Sequence, residues 1–388
     1  MRQFSLLSFS IVLLTAVSCS GTKKLTSPQQ PVQPVVSSIS SLKLLGQYEI
    51  PYNTTFKMTT VGGLSSIDYD AANELYYMIC DDRSNLNPAR FYTAKIFISM
   101  NGIDSLRLVD MHPMLQPNGQ VYPTKLFRPF ATVDPEAMRY DPVNRQLVWS
   151  SEGERIVSAE DTIVQDPAIY IISPNGYYSG AYNLPANLKM NSFEKGPRQN
   201  GVFEGMTFAD NYKTLFVNVE EPLYEDGPRV DVKDQDTYIR ILKFDTETKN
   251  NTAQYAYKPD PVAYPAVPAD AYKINGLPDI LSIGKDRFIV IERSYSTGRL
   301  ACTIKIFMTD ISAATDIKEV ASLSANKNFV PASKKLLLNM DDLGIYIDNV
   351  EGVTLGPVLP NGHRSLIFVA DNNFSAAEKS QFFLFEIQ

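Results

Sequence analysis

The stretch VFEGMTFADNYKTLFVNVEEP, residues 202–222, decides the fold. Two apolar or β-branched runs, residues 205–208 and 215–219, flank a short polar segment. Such runs joined by a polar turn predict a β-hairpin. A hairpin returns the chain to its starting point, so Glu204 at the entrance and Glu220 at the exit are expected to lie close together.

The same plan recurs in four other segments. They are GGLSSIDYDAANELYYMICDDR from Gly62, PEAMRYDPVNRQLVWSSEGE from Pro135, NGLPDILSIGKDRFIVIERS from Asn275 and VEGVTLGPVLPNGHRSLIFVADNN from Val350. We align the copies on the apolar residue near the start of each, namely Leu64, Met138, Met206, Leu277 and Val353. The copies then recur about every 70 residues, a period that indicates a repeat architecture.

Counting strand-like runs predicts an all-β propeller of four-stranded blades. The first four repeats have four runs each, with residues 317–323 as the last run of the fourth repeat, and the fifth repeat has three. The unassigned run 42–50 is expected to pair beside residues 382–387 and close the last blade, which removes exposed sheet edges. Five blades are favoured, and six remain open if residues 326–349 or 259–273 contain further strands.

The composition is that of a soluble globular protein. Of the 388 residues, 44% are hydrophobic and 20% are charged. The net charge of −7 disfavours nucleic acid or an anionic membrane surface as a partner. The protein is also expected to be a monomer, with a small anionic substrate as its partner.

Residues 1–19 have the features of a signal peptide. Arg2 precedes an apolar core at 6–17, and small or branched residues come directly before Cys19. This pattern resembles the lipobox of bacterial lipoproteins, which implies lipidation of Cys19 and an outer-membrane lipoprotein facing the periplasm or the cell surface. An uncleaved membrane helix is the weaker alternative, because the apolar run is shorter than the roughly 20 residues that span a bilayer.

The segment after Cys19 is rich in Pro, Gln and Ser. Residues 20–40 are therefore expected to form a flexible tether, with the propeller domain at 42–388 and the lipid anchor as its one membrane contact. Cys80 and Cys302 lie in apolar runs of different repeats, which predicts buried free thiols rather than a disulfide.

Propeller geometry brings the acidic ends of the repeats together. The loop into the first strand and the loop out of the second lie on one face, here called the mouth face. The acidic residues at these positions are Asp81, Asp82, Glu136, Glu152, Glu204, Glu220, Glu221, Glu292, Glu351 and Asp371. Crowded carboxylates repel each other unless a cation or arginines offset them, and oxygen ligands suit Ca²⁺.

Arginines accompany these acids. Arg83 and Arg293 follow second strands, and Arg90, Arg128 and Arg198 lie on loops of the same face. Guanidinium groups bind phosphate or carboxylate, so the mixture predicts cation-assisted hydrolysis of a phosphoester or related ester. A Ser-His-Asp triad or a zinc site is disfavoured, because the chain has two histidines, His112 and His363, and no matching motif.

The repeat motifs resemble a known family. GGLSSIDYD with DDR, DPEAMRYD with SSEGE, FEGMTFADNYKTLFVNVEEPL, DRFIVIERSYS and NVEGVTLGP are similar to those of the bacterial phytase-like family described as having esterase-like activity. The likeness implies a secreted or periplasmic propeller related to calcium-dependent phytases. The residues that match its motifs by position are Asp81, Asp82, Arg83, Glu136, Glu152, Glu204, Glu220, Glu292, Arg293, Glu351 and Asp371.

From the residues and this resemblance we assign roles as hypotheses. Catalytic roles go to Glu204, Glu220, Arg83 and Arg293, and substrate binding goes to Arg83, Arg90 and Arg293. The expected ligands of Ca²⁺ are Asp81, Asp82, Glu136, Glu152, Glu204, Glu220, Glu292, Glu351 and Asp371. Ala137 and Asn372 depart from the family pattern. The alternative is a propeller that binds a ligand or acts as a scaffold at the same mouth without turnover.

Overall fold

The computed structural model describes residues 33–36, 38–127, 131–284 and 286–388. The predicted signal peptide with Cys19, most of the predicted tether, and Arg128 lie outside these ranges. Short 3₁₀ helices occur at Ala186–Leu188, Tyr224–Asp226 and Met340–Leu343. None of the helices in the described part of the chain has the length and apolarity that crossing a bilayer requires.

The chain starts with strand β1, Leu42–Ile50, and a small hairpin of β2, Thr55–Phe56, and β3, Thr59–Thr60. Blade one follows with β4 Leu64–Asp70, β5 Leu75–Cys80, β6 Arg90–Ser99 and β7 Gly102–Pro113. Blade two has β8 Pro135–Asp141, β9 Gln146–Ser151, β12 Ala168–Ile172 and β13 Tyr178–Ala181. An additional hairpin, β10 Glu154–Val157 with β11 Thr162–Gln165, extends from the end of β9.

Blade three has β14 Phe203–Ala209, β15 Thr214–Val219, β16 Ile239–Asp245 and β17 Asn251–Tyr257. In blade four the inner strand is interrupted, as β18 Lys273–Gly276 and β19 Ile280–Gly284, and is followed by β20 Arg287–Ser296, β21 Thr303–Asp310 and β22 Ser333–Asn339. Blade five has β23 Asn349–Val358, β24 Arg364–Asp371 and β25 Ser380–Ile387.

The ring closes as the sequence predicts. Strand β1 pairs antiparallel with β25, with Leu42 opposite Ile387, and so supplies the outer strand of blade five. The inner strands of successive blades contact each other in chain order, and β19 and β20 of blade four contact β23 of blade five. The protein is therefore an all-β propeller of five four-stranded blades, and the six-blade alternative is wrong.

Two details of the strand prediction are wrong. The fourth strand of blade four is Ser333–Asn339, because Ile317 and Leu323 lie on the loop between β21 and β22 and are buried against Ala256 of β17. The alignment of the five sequence repeats is also wrong at Leu64 and Leu277. The cross-strand pairs Ile67–Met78, Met138–Trp149, Met206–Val217, Ile280–Val290 and Val353–Phe368 show that Ile67 and Ile280 are the equivalent residues.

The domain begins earlier than residue 42. Val36 and Ile39 are buried among apolar residues of blades four and five, and the Val36 amide donates to the carbonyl oxygen of Ile283 at 3.2 Å. The Gln33 amide donates to Asn211 in the turn between β14 and β15. This turn lies on the face opposite the mouth, here called the turn face, so the described chain starts there.

A buried ion pair lies where the inner strands meet. Arg139 of β8 donates to both carboxylate oxygens of Asp279 at 2.8 and 2.6 Å, and neither side chain is more than 2% exposed. The same guanidinium donates to the Ile67 carbonyl of blade one, and Asp279 accepts from the Val353 amide of blade five. In blade three, a Cβ on Gly205 would lie 2.5 Å from the Cα of Asp279. Groups from all five blades therefore converge on this pair.

We expect Arg139→Met to destabilise the fold by about 3 to 5 kcal/mol, because it leaves the Asp279 carboxylate buried without its partner. Urea denaturation of the purified domain measures this change. Lys379→Met is the matched control. Its ion pair with Glu49 is half-exposed, so the loss should stay below about 1 kcal/mol. Equal losses of stability in the two variants would contradict the role assigned to the Arg139–Asp279 pair, here called the axial ion pair.

Candidate active site

A pocket of about 480 Å³ opens on the mouth face above the axial ion pair. Carboxylates from four blades line it, and three arginines line it from blades one and four. The acids are Asp81, Asp134, Glu136, Glu204, Asp348, Glu351 and Glu378, and the arginines are Arg83, Arg293 and Arg299. The predicted gathering of acidic ends around one mouth is therefore present in the structure.

Register shifts in the inner strands orient three of these carboxylates. The pairing of first and second strands shifts register between Pro135 and Met138, between Phe203 and Met206, and between Val350 and Gly352. Glu136, Glu204 and Glu351 lie in these shifts. Because a β-bulge redirects a side chain relative to the regular alternation, the three glutamates can face the pocket from the ends of inner strands.

The ends of the second strands supply a ring of equivalent positions. Three residues after the equivalent ladder residues Met78, Trp149, Val217, Val290 and Phe368 come Asp81, Glu152, Glu220, Arg293 and Asp371. Four blades thus carry a carboxylate at this position and blade four carries an arginine. Glu292 precedes Arg293 and therefore lies on the opposite side of its strand.

Two of the pocket arginines, Arg83 and Arg293, are held by acidic side chains. The Arg83 guanidinium donates to Glu154 at 2.5 Å and pairs with Asp134 at 3.1 Å. Arg293 donates to Glu220 at 2.6 Å and also to Glu351. The carboxylates raise the pKa of both arginines despite burial. Both groups therefore stay charged and are fixed at the pocket.

The predicted site residues that do not line the pocket are Asp82, Arg90, Glu152, Glu220, Glu292 and Asp371. Three of these form their hydrogen bonds away from it. Asp82 accepts from the amides of Asn85 and Asn87 and pairs with Arg90, which is fully buried. Glu292 accepts from the hydroxyl of Tyr257 at 2.7 Å, from Asn275 at 2.8 Å and from Lys334 at 2.5 Å. The hydrogen bonds of Asp82, Arg90 and Glu292 fix loops and blade four, and their placement does not support the predicted metal and substrate contacts.

Other predicted groups lie beside the site or away from it. Glu221 pairs with Arg229, and Arg198 donates to the backbone carbonyls of Pro222 and Gly227 in the loop after β15. His112 stacks on Phe91, and His363 bonds Glu386 beside the β23–β24 turn on the turn face. Cys80 and Cys302 are buried free thiols, as predicted.

Sequence reasoning missed two acidic residues, Asp134 and Glu154. Asp134 precedes the inner strand of blade two, and Glu154 begins the additional hairpin β10–β11. Both pair with Arg83. The motifs DPE and SEGE each contain two acidic residues. Only Glu136 of DPE and only Glu152 of SEGE are assigned to the site from the sequence, and the other acid of each motif is the one that was missed.

A family model described as "Phytase-like: Esterase-like activity of phytase" matches residues 59–374. The chain belongs to this phytase-like family. The match covers the pocket acids and pocket arginines named above, apart from Glu378, which lies beyond residue 374. Comparison with curated proteins found no sequence match.

Solved propellers are similar only distantly. An exo-β-1,3-galactanase from Phanerochaete chrysosporium is 11% identical with a TM-score of 0.44, over 88% of this chain and 65% of that one. The periplasmic gluconolactonase of Pseudomonas aeruginosa is 9% identical with a TM-score of 0.36, over 90% and 96%. A xylan β-1,4-xylosidase from Bacillus halodurans is 8% identical with a TM-score of 0.44, over 90% and 54%. Likenesses this weak carry no argument about the phytase-like chain.

The acids outnumber their partners. Within the described residues, no hydrogen bond or ion pair reaches the carboxylates of Asp81, Glu136 and Glu204. Burial, reinforced by neighbouring carboxylates, raises the pKa of each of the three well above its ordinary value. Once ionised, these acids therefore carry more negative charge than the pocket's own arginines neutralise.

One cluster has the donor set of a cation site. Carboxylate oxygens of Asp134, Glu136 and Glu152 lie within 4.8 Å of one another. The Oε2 atom of Glu152 is buried without a hydrogen-bond partner, and so is the Oδ1 atom of Asp371. Buried carboxylate oxygens without donors fit a hard divalent cation such as Ca²⁺, which binds oxygen ligands.

We expect the protein in chelator to lose stability as the pH rises from about 5 to about 8. Burial raises the pKa of Asp134 to about 6 and that of Glu221 to about 8, from ordinary values of 3.8 and 4.5. The folded state thus binds more protons than the unfolded state in this window, so stability falls as pH rises. Differential scanning calorimetry measures the melting temperature.

Two comparisons sharpen this measurement. Added Ca²⁺ should recover stability mainly at the higher pH, where the carboxylates are ionised. Glu204→Gln should raise the melting temperature in chelator at high pH, because it removes one uncompensated carboxylate. A melting temperature that increases with pH in chelator would contradict the crowding of these acids.

Proposed function

We propose that this chain hydrolyses a phosphoester or a related ester with the help of a divalent cation, and that the mouth-face pocket is the active site. The observation that carries the proposal is the excess of inward-facing carboxylates over two fixed arginines in one pocket. Such a pocket offers ligands for a cation and positive groups for an anionic substrate. The membership of the phytase-like family supports the same class of reaction.

The Asp134, Glu136 and Glu152 cluster would hold the cation, and we propose Ca²⁺. When bound, Ca²⁺ would polarise the ester and lower the pKa of a water molecule. Asp371, across the ring, offers a further carboxylate oxygen without a donor. Asp81 and Glu204 line the same pocket without partners among the described residues.

The chain's own residues supply orientation and proton transfer. Arg83 and Arg293 face the pocket and would orient the anionic or developing negative oxygens of the ester. Glu220 and Glu351 fix Arg293, so we assign Glu220 a positioning role. Glu204 has a raised pKa and no partner, so it can hold a proton near neutral pH and donate it to the leaving alcohol.

Purified protein is expected to hydrolyse p-nitrophenyl phosphate in Ca²⁺ and to lose this activity in chelator. Glu136→Gln should lower kcat/KM by about 100-fold, because it removes a cation ligand. Its Ca²⁺ affinity, read by calorimetry, should fall in parallel. Glu247→Gln, an exposed substitution on the turn face, is the matched control and should change neither value.

The outcome separates the enzyme from the binding alternative. A wild-type protein that hydrolyses no phosphoester or carboxylic ester, with or without Ca²⁺, would remove the catalytic proposal. Tight binding of a ligand without product would then favour a binding or scaffold propeller that uses the same pocket.

We also propose that Cys19 anchors the protein in the bacterial outer membrane. The support is the apolar run before a cysteine that follows small residues. Expressed in a bacterium, the wild-type protein should fractionate with outer membranes, whereas Cys19→Ser should leave them or remain as an unprocessed precursor. A wild-type protein that is soluble after cell breakage would contradict the anchor.

A further inference from the structure

We propose that the pocket accepts an ester whose alcohol part presents a flat, apolar ring face, and that one wall of the pocket, built by blade four, holds this ring. The proposal rests on the hydrolytic function proposed above and names its substrate class. It is carried by the unequal chemistry of the pocket walls.

The pocket has an acidic side and an apolar side. Every carboxylate that lines it comes from blades one, two, three and five. Blade four contributes an aromatic and aliphatic wall, here called the ring wall. The ring wall consists of Tyr272, Ile274, Tyr295, Leu300 and Cys302. A molecule in the pocket therefore meets the carboxylates on one side and, on the blade-four side, this apolar surface beside Arg293 and Arg299.

Strand pairing and a backbone hydrogen bond hold the residues of the ring wall in place. Ile274 is the ladder partner of Tyr295, and the ring of Tyr272 lies 6.1 Å from that of Tyr295 at 39°. The amide of Thr297 donates to the carbonyl of Tyr272 at 3.0 Å, which fixes the loop before β18 to the end of β20. The two aromatic rings are thus positioned by backbone pairing.

Part of this wall is left open to solvent. Tyr272 is 53% exposed and Leu300 is 87% exposed, directly at the edge of the pocket. A turn in which the Arg299 amide donates to the Ser296 carbonyl holds Leu300 there. Exposed apolar side chains beside a polar pocket are typical of a ligand contact, because a ligand's apolar face would remove them from water.

Charge limits what the alcohol part can carry. Three arginines line the pocket, Arg83, Arg293 and Arg299, against seven carboxylates. No lysine is among the described residues that line it. An alcohol with several further phosphates would meet repulsion from the remaining carboxylates even beside one bound cation. A single ester group on a weakly polar ring fits this charge distribution better.

Two kinds of alcohol offer such a ring face. An aromatic alcohol and a pyranose sugar both present C–H and ring surface that packs on tyrosine. Steady-state kinetics in Ca²⁺ with phenyl phosphate, glucose 1-phosphate and glycerol 3-phosphate distinguishes them, since the last has no ring. Inositol hexakisphosphate tests an alcohol that carries several phosphates.

The wild-type protein should show a higher kcat/KM for one of the ring esters than for glycerol 3-phosphate or the polyphosphate. Tyr272→Ala should raise KM for that ring ester about tenfold with kcat nearly unchanged, and leave glycerol 3-phosphate unaffected. Leu300→Ser should act in the same direction. Tyr177→Ala removes a tyrosine that is 61% exposed on the turn face and should change nothing.

The results separate this inference from the hydrolytic proposal. Equal kcat/KM for ring and ringless esters, or equal losses for both in Tyr272→Ala, overturns the ring wall and leaves hydrolysis standing. If the wild type cleaves none of the esters, the hydrolytic proposal is overturned. Binding measured by calorimetry in Ca²⁺ then tests the ring wall. A Tyr272-dependent preference for phenylphosphonate over methylphosphonate then supports the ring wall, and equal or absent binding overturns it.

Discussion

The rest of the structure depends on the buried pairing of Arg139 with Asp279. Two opposite charges removed from water stabilise a fold only when their geometry is good and further hydrogen bonds reach them. Hydrogen bonds to this pair come from blades one, two, four and five, and blade three approaches through a glycine. Of the side-chain polar atoms of the pair, the Arg139 Nε alone has no partner among the described residues. The pair therefore joins the inner strands at the axis.

The pocket differs from this ion pair in its balance of acidic and basic groups. The axial arginine and aspartate neutralise each other, whereas the pocket acids outnumber the two arginines fixed among them. Folding brings these acids together because each lies at the same end of an inner or second strand. The stability of the five blades thus sustains an arrangement of carboxylates that is unfavourable by itself, and such an arrangement lends itself to cation binding.

Much of this could be predicted from the sequence. The period of the hairpins, the missing strand of the last repeat and the acids beside each hairpin predict the five blades, the closure by β1 and the placement of Glu136, Glu204 and Glu351 at one mouth. The difference between Glu292 and Arg293 could not be predicted, because adjacent residues of a strand face opposite sides and only the ladder partners decide which one faces the pocket. The strand Ser333–Asn339 was missed because the apolar residues Ile317 and Leu323 have the pattern of a strand, whereas they lie on a loop that packs against Ala256 of blade three.

The docking of residues 33–36 has a consequence for how the protein can be attached. This segment contacts the turns after β14 and β19, at the end of the propeller remote from the pocket. Any linkage made upstream of Gln33, whether natural or introduced for immobilisation, joins the domain at its back. Solute can then reach the opening without passing the attachment point.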